Sequence, residues 1–157
     1  MIKQTIILPD PIPFTKEGYE QVKKDIETLT EKRKTAVINL RTARDMGDLS
    51  ENAAYKVARQ ELSEVDRRLR LLKFQLRFGI IVDSVKSDVV SFGRNITLSD
   101  GKREITFTLV GGYESDGGGR LSVKSPIGQA VEGKKVGETV VVRAPMGEIK
   151  YKIMKIG

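Results

Sequence analysis

The sequence predicts an α+β protein, in which an N-terminal antiparallel coiled-coil hairpin of two helices is followed by a small antiparallel β-rich domain. Apolar residues recur at alternating steps of three and four over two long segments, and a few residues around Gly47 separate these segments. Short runs of β-branched residues replace the helical pattern after Gly79. We therefore expect an N-terminal extension over residues 1–13, the hairpin over 14–78 and the β domain over 79–157.

The first helix is predicted from its boundaries and from its apolar stripe. Thr15 is a good helix-capping residue, and it follows a stretch containing Pro9, Pro11 and Pro13 that cannot itself be helical. Gly47 has the backbone freedom that a helix end often uses. One charged residue interrupts the stripe that we expect to pack against the second helix: Tyr19, Val22, Ile26, Leu29, Arg33, Ala36, Leu40 and Ala43.

The turn after Gly47 contains two acidic residues in front of the second helix. Asp48 and Glu51 have the D-x-x-E spacing of a capping box, in which one side chain caps the helix and the other reaches back. Gly79 closes this helix, so each arm has about 30 residues and a length of roughly 45 Å. The apolar stripe continues in the second arm through Tyr55, Ala58, Leu62, Val65, Leu69, Leu72 and Leu76.

The C-terminal half has the pattern of a small β domain. Ser125 and Pro126 mark the start of a short helix that we expect to end near Glu132, because Gly133 follows. Residues 114–119 have no apolar pattern and are predicted to form a mobile loop. Six β-branched or aromatic runs are predicted to be strands: 80–85, 95–98, 104–110, 121–124, 139–144 and 148–156.

Composition excludes several kinds of chemistry. The chain has no cysteine and no histidine, which removes disulfides, thiolate catalysis, the usual neutral-pH base and the commonest metal ligand. No segment has the apolar length of a membrane span, so we expect a soluble, cytoplasmic protein that does not bind membranes. We also expect it to be a monomer. The net charge of +7 is spread over both halves, with 15 Lys/Arg against 11 Asp/Glu in residues 14–78 and 12 against 9 in 79–157. This excess is smaller than the dense basic stripe of an autonomous duplex-binding protein.

Four cations flank the two acids on the helical turns nearest to the hairpin turn, and we call them the tip cations: Arg41, Arg44, Lys56 and Arg59. They are suited to guiding a phosphate chain toward Asp48 and Glu51, which we call the tip acids. The alternative is that the tip cations are solvated positions that form ion pairs along their own helices.

Two separated motifs resemble those of the Gre transcript-cleavage factors, the GreA and GreB proteins of bacterial RNA polymerase. The first is A-R-D-M-G-D-L-S-E-N-A-A-Y at residues 43–55. The second covers residues 125–130 and 133–140 and continues at 144–148. The motifs occur in the order of that family, and the modest basic charge of the hairpin favours the GreA type.

The resemblance implies a C-terminal domain of FKBP-like fold that docks at the rim of the polymerase secondary channel while the coiled coil enters it. Asp48 and Glu51 are then the residues that help to hold a second Mg²⁺ in the polymerase active centre, where the 3′ end of backtracked nascent RNA is cleaved. The resemblance thus implies a factor that activates the polymerase and is not itself an enzyme. Mg²⁺ is expected only in the complex with polymerase.

Three further residues at or near the tip are also candidates for a role. Leu49 is an apolar side chain at a turn that should be wet, which suggests a contact with the partner. Asn52 is predicted to steady the tip or to touch the partner, and Tyr55 is predicted to pack in the stripe. The remaining alternatives are an inhibitory Gre homologue that blocks the channel, a scaffold whose acids only cap a helix, and an independent metal nuclease. The missing histidines argue against the nuclease, and the length of the RNA fragment released stays open.

Overall fold

The computed structural model describes residues 9–157 and divides into two compact units. One unit contains Tyr19–Gly79, and the other contains both Pro11–Gly18 and Ile80–Gly157. The segment 14–18, predicted as part of the hairpin, thus has its contacts in the second unit. Of the predicted N-terminal extension, residues 1–8 lie outside the described part of the chain.

Two antiparallel helices form the first unit, α1 (Lys16–Asp45), whose first three residues belong to the second unit, and α2 (Ala53–Phe78). The helices are antiparallel, because the start of α1 contacts the end of α2 and the end of α1 contacts the residue before α2. The Tyr19 hydroxyl donates to the carbonyl of Leu76 at one end, and the Asn52 side chain donates to the carbonyl of Ala43 at the other. Every predicted stripe position except Arg33 is buried or half-buried, which confirms the predicted hairpin.

Arg33 is exposed although it occupies a stripe position. Its Nε lies 2.5 Å from the Asp66 carboxylate on the facing helix. A long cationic side chain can cover apolar surface with its stem while its charged end stays in water. The charge therefore interrupts the apolar stripe without being buried.

The predicted helix boundaries are confirmed at three of the four ends. The Thr15 hydroxyl accepts from the Gly18 amide at 3.1 Å, as expected of the cap of α1. Gly47 follows the last turn of α1 with a φ of +138°, and α2 ends at the residue before Gly79. At the start of α2, however, the cap is Asn52, so the predicted capping box of Asp48 and Glu51 is wrong.

The second unit contains a two-stranded and a five-stranded sheet. The small sheet pairs β1 (Ile12–Phe14) with β2 (Gly79–Ile81), which begins at the last residue of the first unit. The large sheet has the order β5-β4-β3-β7-β6, in which the β4–β5 pair is parallel and the other pairs are antiparallel. Its strands are β3 (Asn95–Ser99), β4 (Glu104–Val110), β5 (Arg120–Ser122), β6 (Thr139–Ala144) and β7 (Gly147–Ile156).

The core of the second unit lies between the large sheet and the short helix α3 (Pro126–Val131). Ser125 caps this helix by accepting from the Gly128 amide, as predicted. Alternate residues of the strands face inward, because successive side chains point to opposite faces of a sheet. The fully buried members of this core include Ile96, Leu98, Leu109, Val131 and Ile153.

The predicted mobile loop at residues 114–119 is wrong at its first residue. Glu114 is only 7% exposed, and its carboxylate accepts from the Thr15 amide at 3.0 Å, the Thr15 hydroxyl and the Gly111 amide at 3.4 Å. Gly18 faces this carboxylate so closely that a Cβ there would overlap it. A buried acid thus holds the segment before α1 in the second unit.

Candidate functional site at the hairpin turn

A hydrogen-bonded turn connects the two helices. The Asp48 carboxylate oxygen Oδ1 accepts from the Ser50 amide at 3.0 Å and from the Ser50 hydroxyl at 2.9 Å. Aspartate commonly bonds in this way to the backbone two residues further on. Asp48 therefore shapes the turn and does not cap the helix.

Asn52 fixes the end of the turn to both helices. Its side-chain oxygen accepts from the Tyr55 amide at 3.0 Å, which caps α2. Its side-chain nitrogen donates to the carbonyl of Ala43 in the last turns of α1, at 2.6 Å. The prediction that Asn52 steadies the tip is supported by these bonds, and Tyr55 is half-buried on the stripe as expected.

Both tip acids face solvent. The bonds from the Ser50 amide and then the Ser50 hydroxyl lower the pKa of Asp48 below the ordinary aspartate value. Glu51 makes no hydrogen bond or ion pair with any residue in the described range 9–157. One carboxylate is thus held in place, and the other is free to move to a ligand.

The tip acids fit a shared Mg²⁺ better than a resident one. Mg²⁺ prefers six oxygen ligands, retains several waters and is commonly bound by one or two carboxylates together with phosphate oxygens. Across residues 9–157, no group of three or more His, Cys, Asp or Glu side chains is arranged to hold a metal ion. Two exposed carboxylates supply at most a part of the oxygen ligands that Mg²⁺ prefers.

The tip cations are exposed, and none of them forms an ion pair within residues 9–157. Ion pairs do occur on the hairpin, for example between Arg67 and Glu64 at 3.2 Å and between Lys32 and Glu61 at 3.8 Å. The four tip cations are not among these pairs, so the alternative that they form ion pairs along their own helices is wrong. Their charges remain available to an external anion.

Apolar side chains are also exposed near the turn. Leu49, which was predicted as a contact, is 40% exposed. Met46 and Val57 were not predicted, and they are 72% and 66% exposed. The sequence did contain a signal for Val57, because it is an apolar residue of α2 that lies outside the apolar stripe and should therefore be exposed.

The fold and the site define a class of protein in which an antiparallel helical hairpin exposes charged side chains at its turn and a small β-rich unit follows in the chain. In the residues described, no helix is both long and apolar enough to cross a membrane.

Two family models match the chain. "Transcription elongation factor, N-terminal" matches residues 12–78, and "Transcription elongation factor, GreA/GreB, C-term" matches residues 85–157.

Curated relatives agree with these models. The chain is 40% identical over 151 residues to transcription elongation factor GreA of Geobacillus kaustophilus, which covers 92% of this chain and 95% of the relative. It is 37% identical over 155 residues to GreA of Thermodesulfovibrio yellowstonii, with 95% and 98% covered. The chain therefore belongs to the GreA/GreB family of transcription elongation factors, and it is of the GreA type. A solved structure with a similar chain is that of GreA factor homolog 1 of Thermus thermophilus, at 23% identity, 94% and 99% coverage and a TM-score of 0.46.

Proposed function

We propose that this elongation factor inserts its hairpin into the secondary channel of bacterial RNA polymerase and stimulates Mg²⁺-dependent cleavage of the 3′ end of backtracked RNA. The observation that carries the proposal is the pair of exposed tip acids, Asp48 and Glu51, which no cation of the described chain neutralises. Carboxylate oxygens that no cation among residues 9–157 neutralises are suited to completing a metal site elsewhere. The factor itself is then an activator of the polymerase's own cleavage chemistry.

Asp48 and Glu51 would hold the Mg²⁺ together with polymerase and RNA oxygens. When bound, such an ion lowers the pKa of a coordinated water and stabilises charge on the reacting phosphate oxygens. Asp48 is proposed as the main ligand, because the Ser50 bonds orient its carboxylate and keep its pKa low. Glu51 is proposed to position the metal or the water, since no bond within the described chain fixes its side chain.

The tip cations supply the complementary charge for RNA. Guanidinium and ammonium groups attract phosphates over a distance of about 10 Å at 0.1 M ionic strength. Since none of the four is paired within the described chain, no ion pair has to break before they bind phosphate. We propose that they guide the RNA 3′ end to the tip acids.

The test uses charge-removing substitutions of nearly unchanged shape. In stalled elongation complexes, the wild-type protein should stimulate RNA cleavage, and Asp48→Asn or Glu51→Gln should reduce the stimulated rate by at least about 100-fold, as expected for loss of several kcal/mol of transition-state stabilisation. Both variants should still bind polymerase. Asp45→Asn is the matched control, because Asp45 is an exposed acid at the last residue of α1 and should leave the rate within about threefold.

Three outcomes would contradict the proposal. A protein that binds polymerase and suppresses RNA synthesis without cleavage would be an inhibitory channel-binding regulator. Cleavage in the absence of polymerase would indicate a nuclease. An equal loss of the cleavage rate in Asp45→Asn and Asp48→Asn would mean that the rate depends on the total negative charge of the tip and not on two specific metal ligands.

A further inference from the structure

The two faces of the hairpin tip differ in chemistry. On one face, between α1 and α2, lies an open groove of about 510 Å³. Its lining is mostly apolar and includes Thr42, Met46, Ala53, Ala54 and Val57. Met46 and Val57 are largely exposed there, although large apolar side chains are usually covered in a folded protein.

The tip cations lie on the other face. None of them lines the groove. At about 100° per residue, Arg41 and Arg44 lie about 150° around α1 from the mean direction of its groove-lining residues, and Lys56 and Arg59 lie about 130° to 170° around α2 from theirs. A partner that surrounds the hairpin would therefore contact the tip cations and the groove with different parts of its surface.

The charge of the groove disfavours RNA as its occupant. The charged residue of the lining is an acid, Glu61, whose carboxylate is 3.8 Å from the ammonium group of Lys32. A phosphate chain placed there would meet a carboxylate and no unpaired cation. A polypeptide surface, in contrast, would bury Met46 and Val57 without leaving a charge unpaired, as in the centre of protein interfaces.

We infer that this groove docks an uncharged, apolar polypeptide segment of the polymerase, while the opposite face with the tip cations is left to RNA. The inference rests on the proposed function, since it assigns a second contact to the same tip. The contact would fix the rotation of the hairpin about its own axis. The tip acids would then meet the RNA from one defined side.

The experiment measures the affinity of the full-length chain for core bacterial RNA polymerase, first without nucleic acid and then in a backtracked complex. Val57→Arg places a cation in the groove, so it should weaken binding to the nucleic-acid-free enzyme by at least about tenfold, which corresponds to loss of an interface hot spot. Ile38→Arg is the matched control, because Ile38 is a similarly exposed apolar residue of α1 (63%) outside the groove lining, and its affinity should stay within about twofold. Met46→Arg should repeat the loss without altering a helix, since Met46 follows the end of α1.

Each alternative result overturns the inference in a recognisable way. Tighter binding of Val57→Arg, or an effect confined to the complex that contains RNA, would mean that the groove binds RNA. A wild-type dimer in sedimentation that Val57→Arg dissociates would mean that a second copy fills the groove. Wild-type affinity in Val57→Arg and Met46→Arg overturns the inference alone, whereas a wild-type protein that does not bind polymerase overturns the proposed function as well.

Discussion

Asp48 makes two structural hydrogen bonds through one carboxylate oxygen. Both bonds come from Ser50 and end on Oδ1, and Oδ2 has no hydrogen bond to the residues described. Because the pKa of Asp48 is lowered in the folded turn, the unfolded chain takes up the proton first on acidification. The bonds thus contribute stability above the unfolded pKa, and this contribution is lost as the pH falls through the lowered pKa. At neutral pH the carboxylate stays ionised, which is the form that binds Mg²⁺.

Asn52 is the residue that we expect to matter most for the structure of the turn. Asn52→Ala removes the cap of α2, worth about 1 kcal/mol, and the bond to the Ala43 carbonyl, worth about 1 kcal/mol more. The free energy of unfolding should fall by about 1–2 kcal/mol. Urea denaturation followed by the circular dichroism of the helices measures this change.

Two further variants identify the cause of the effect. Asn39→Ala is the matched control, because Asn39 is exposed within α1 and should show no loss of stability. Asn52→Asp keeps the cap but lacks the side-chain donor, so its stability should lie between those of the wild type and Asn52→Ala. If Asn52→Ala were as stable as Asn39→Ala, the turn would not depend on these bonds.

At the scale of the elements, the stability of the hairpin is concentrated in a narrow apolar stripe. Leu69 is 5% exposed on this stripe, whereas Leu71 on the same helix is 43% exposed. Leu69→Ala should lower the free energy of unfolding by about 2–3 kcal/mol, because it removes buried surface and leaves a cavity. Leu71→Ala should cost less than about 1 kcal/mol, since much of its side chain is already in water. Equal losses in urea denaturation would contradict the assignment of the stripe.

The elements were largely predictable because their signals are local. The three-and-four spacing of apolar residues, Thr15 at the start of α1 and Gly79 at the end of α2 each act within a few residues of the boundary they define. The cap of α2 was mispredicted because two patterns compete in the same turn. Asp48 and Glu51 satisfy the capping-box spacing, but Asp48 bonds to Ser50, and Asn52 then lies closer to the helix.

At the scale of the whole molecule, the feature that local patterns could not predict is the pairing of distant segments. Residues 11–18 belong to the same unit as residues 80–157, although the whole helical hairpin separates them in sequence. The polar run that begins at Glu114 has the composition of a loop, and only contact with Thr15, 99 residues earlier, explains why its carboxylate is buried. The tip acids and tip cations were identified from the sequence as candidates because their residue types and positions are visible there, and their roles stay predictions.

Glu114 is therefore expected to hold residues 11–18 in the second unit. In Glu114→Gln, the bonds from the Thr15 amide, the Thr15 hydroxyl and the Gly111 amide lose their ionised acceptor. Because hydrogen bonds to a charged group are about twice as strong as neutral ones, the docking of this segment should weaken by about 1–3 kcal/mol. The Val82 amide reports on this docking, because it donates to the Phe14 carbonyl at 2.9 Å. Its hydrogen exchange should accelerate by about tenfold or more, since 1.4 kcal/mol corresponds to a factor of ten when local opening controls exchange.

The matched control for this prediction is Glu104→Gln. Glu104 is an exposed glutamate at the start of β4, so its substitution should leave the exchange of the Val82 amide within about twofold. The amide of Leu109, which is in the core of the large sheet, should exchange slowly in both variants, because the change at Glu114 affects the docked segment and not the sheet. Unchanged exchange of Val82 in Glu114→Gln would mean that β1 and β2 hold the segment without the carboxylate. Faster exchange of Val82 and Leu109 together would mean that Glu114 supports the whole unit.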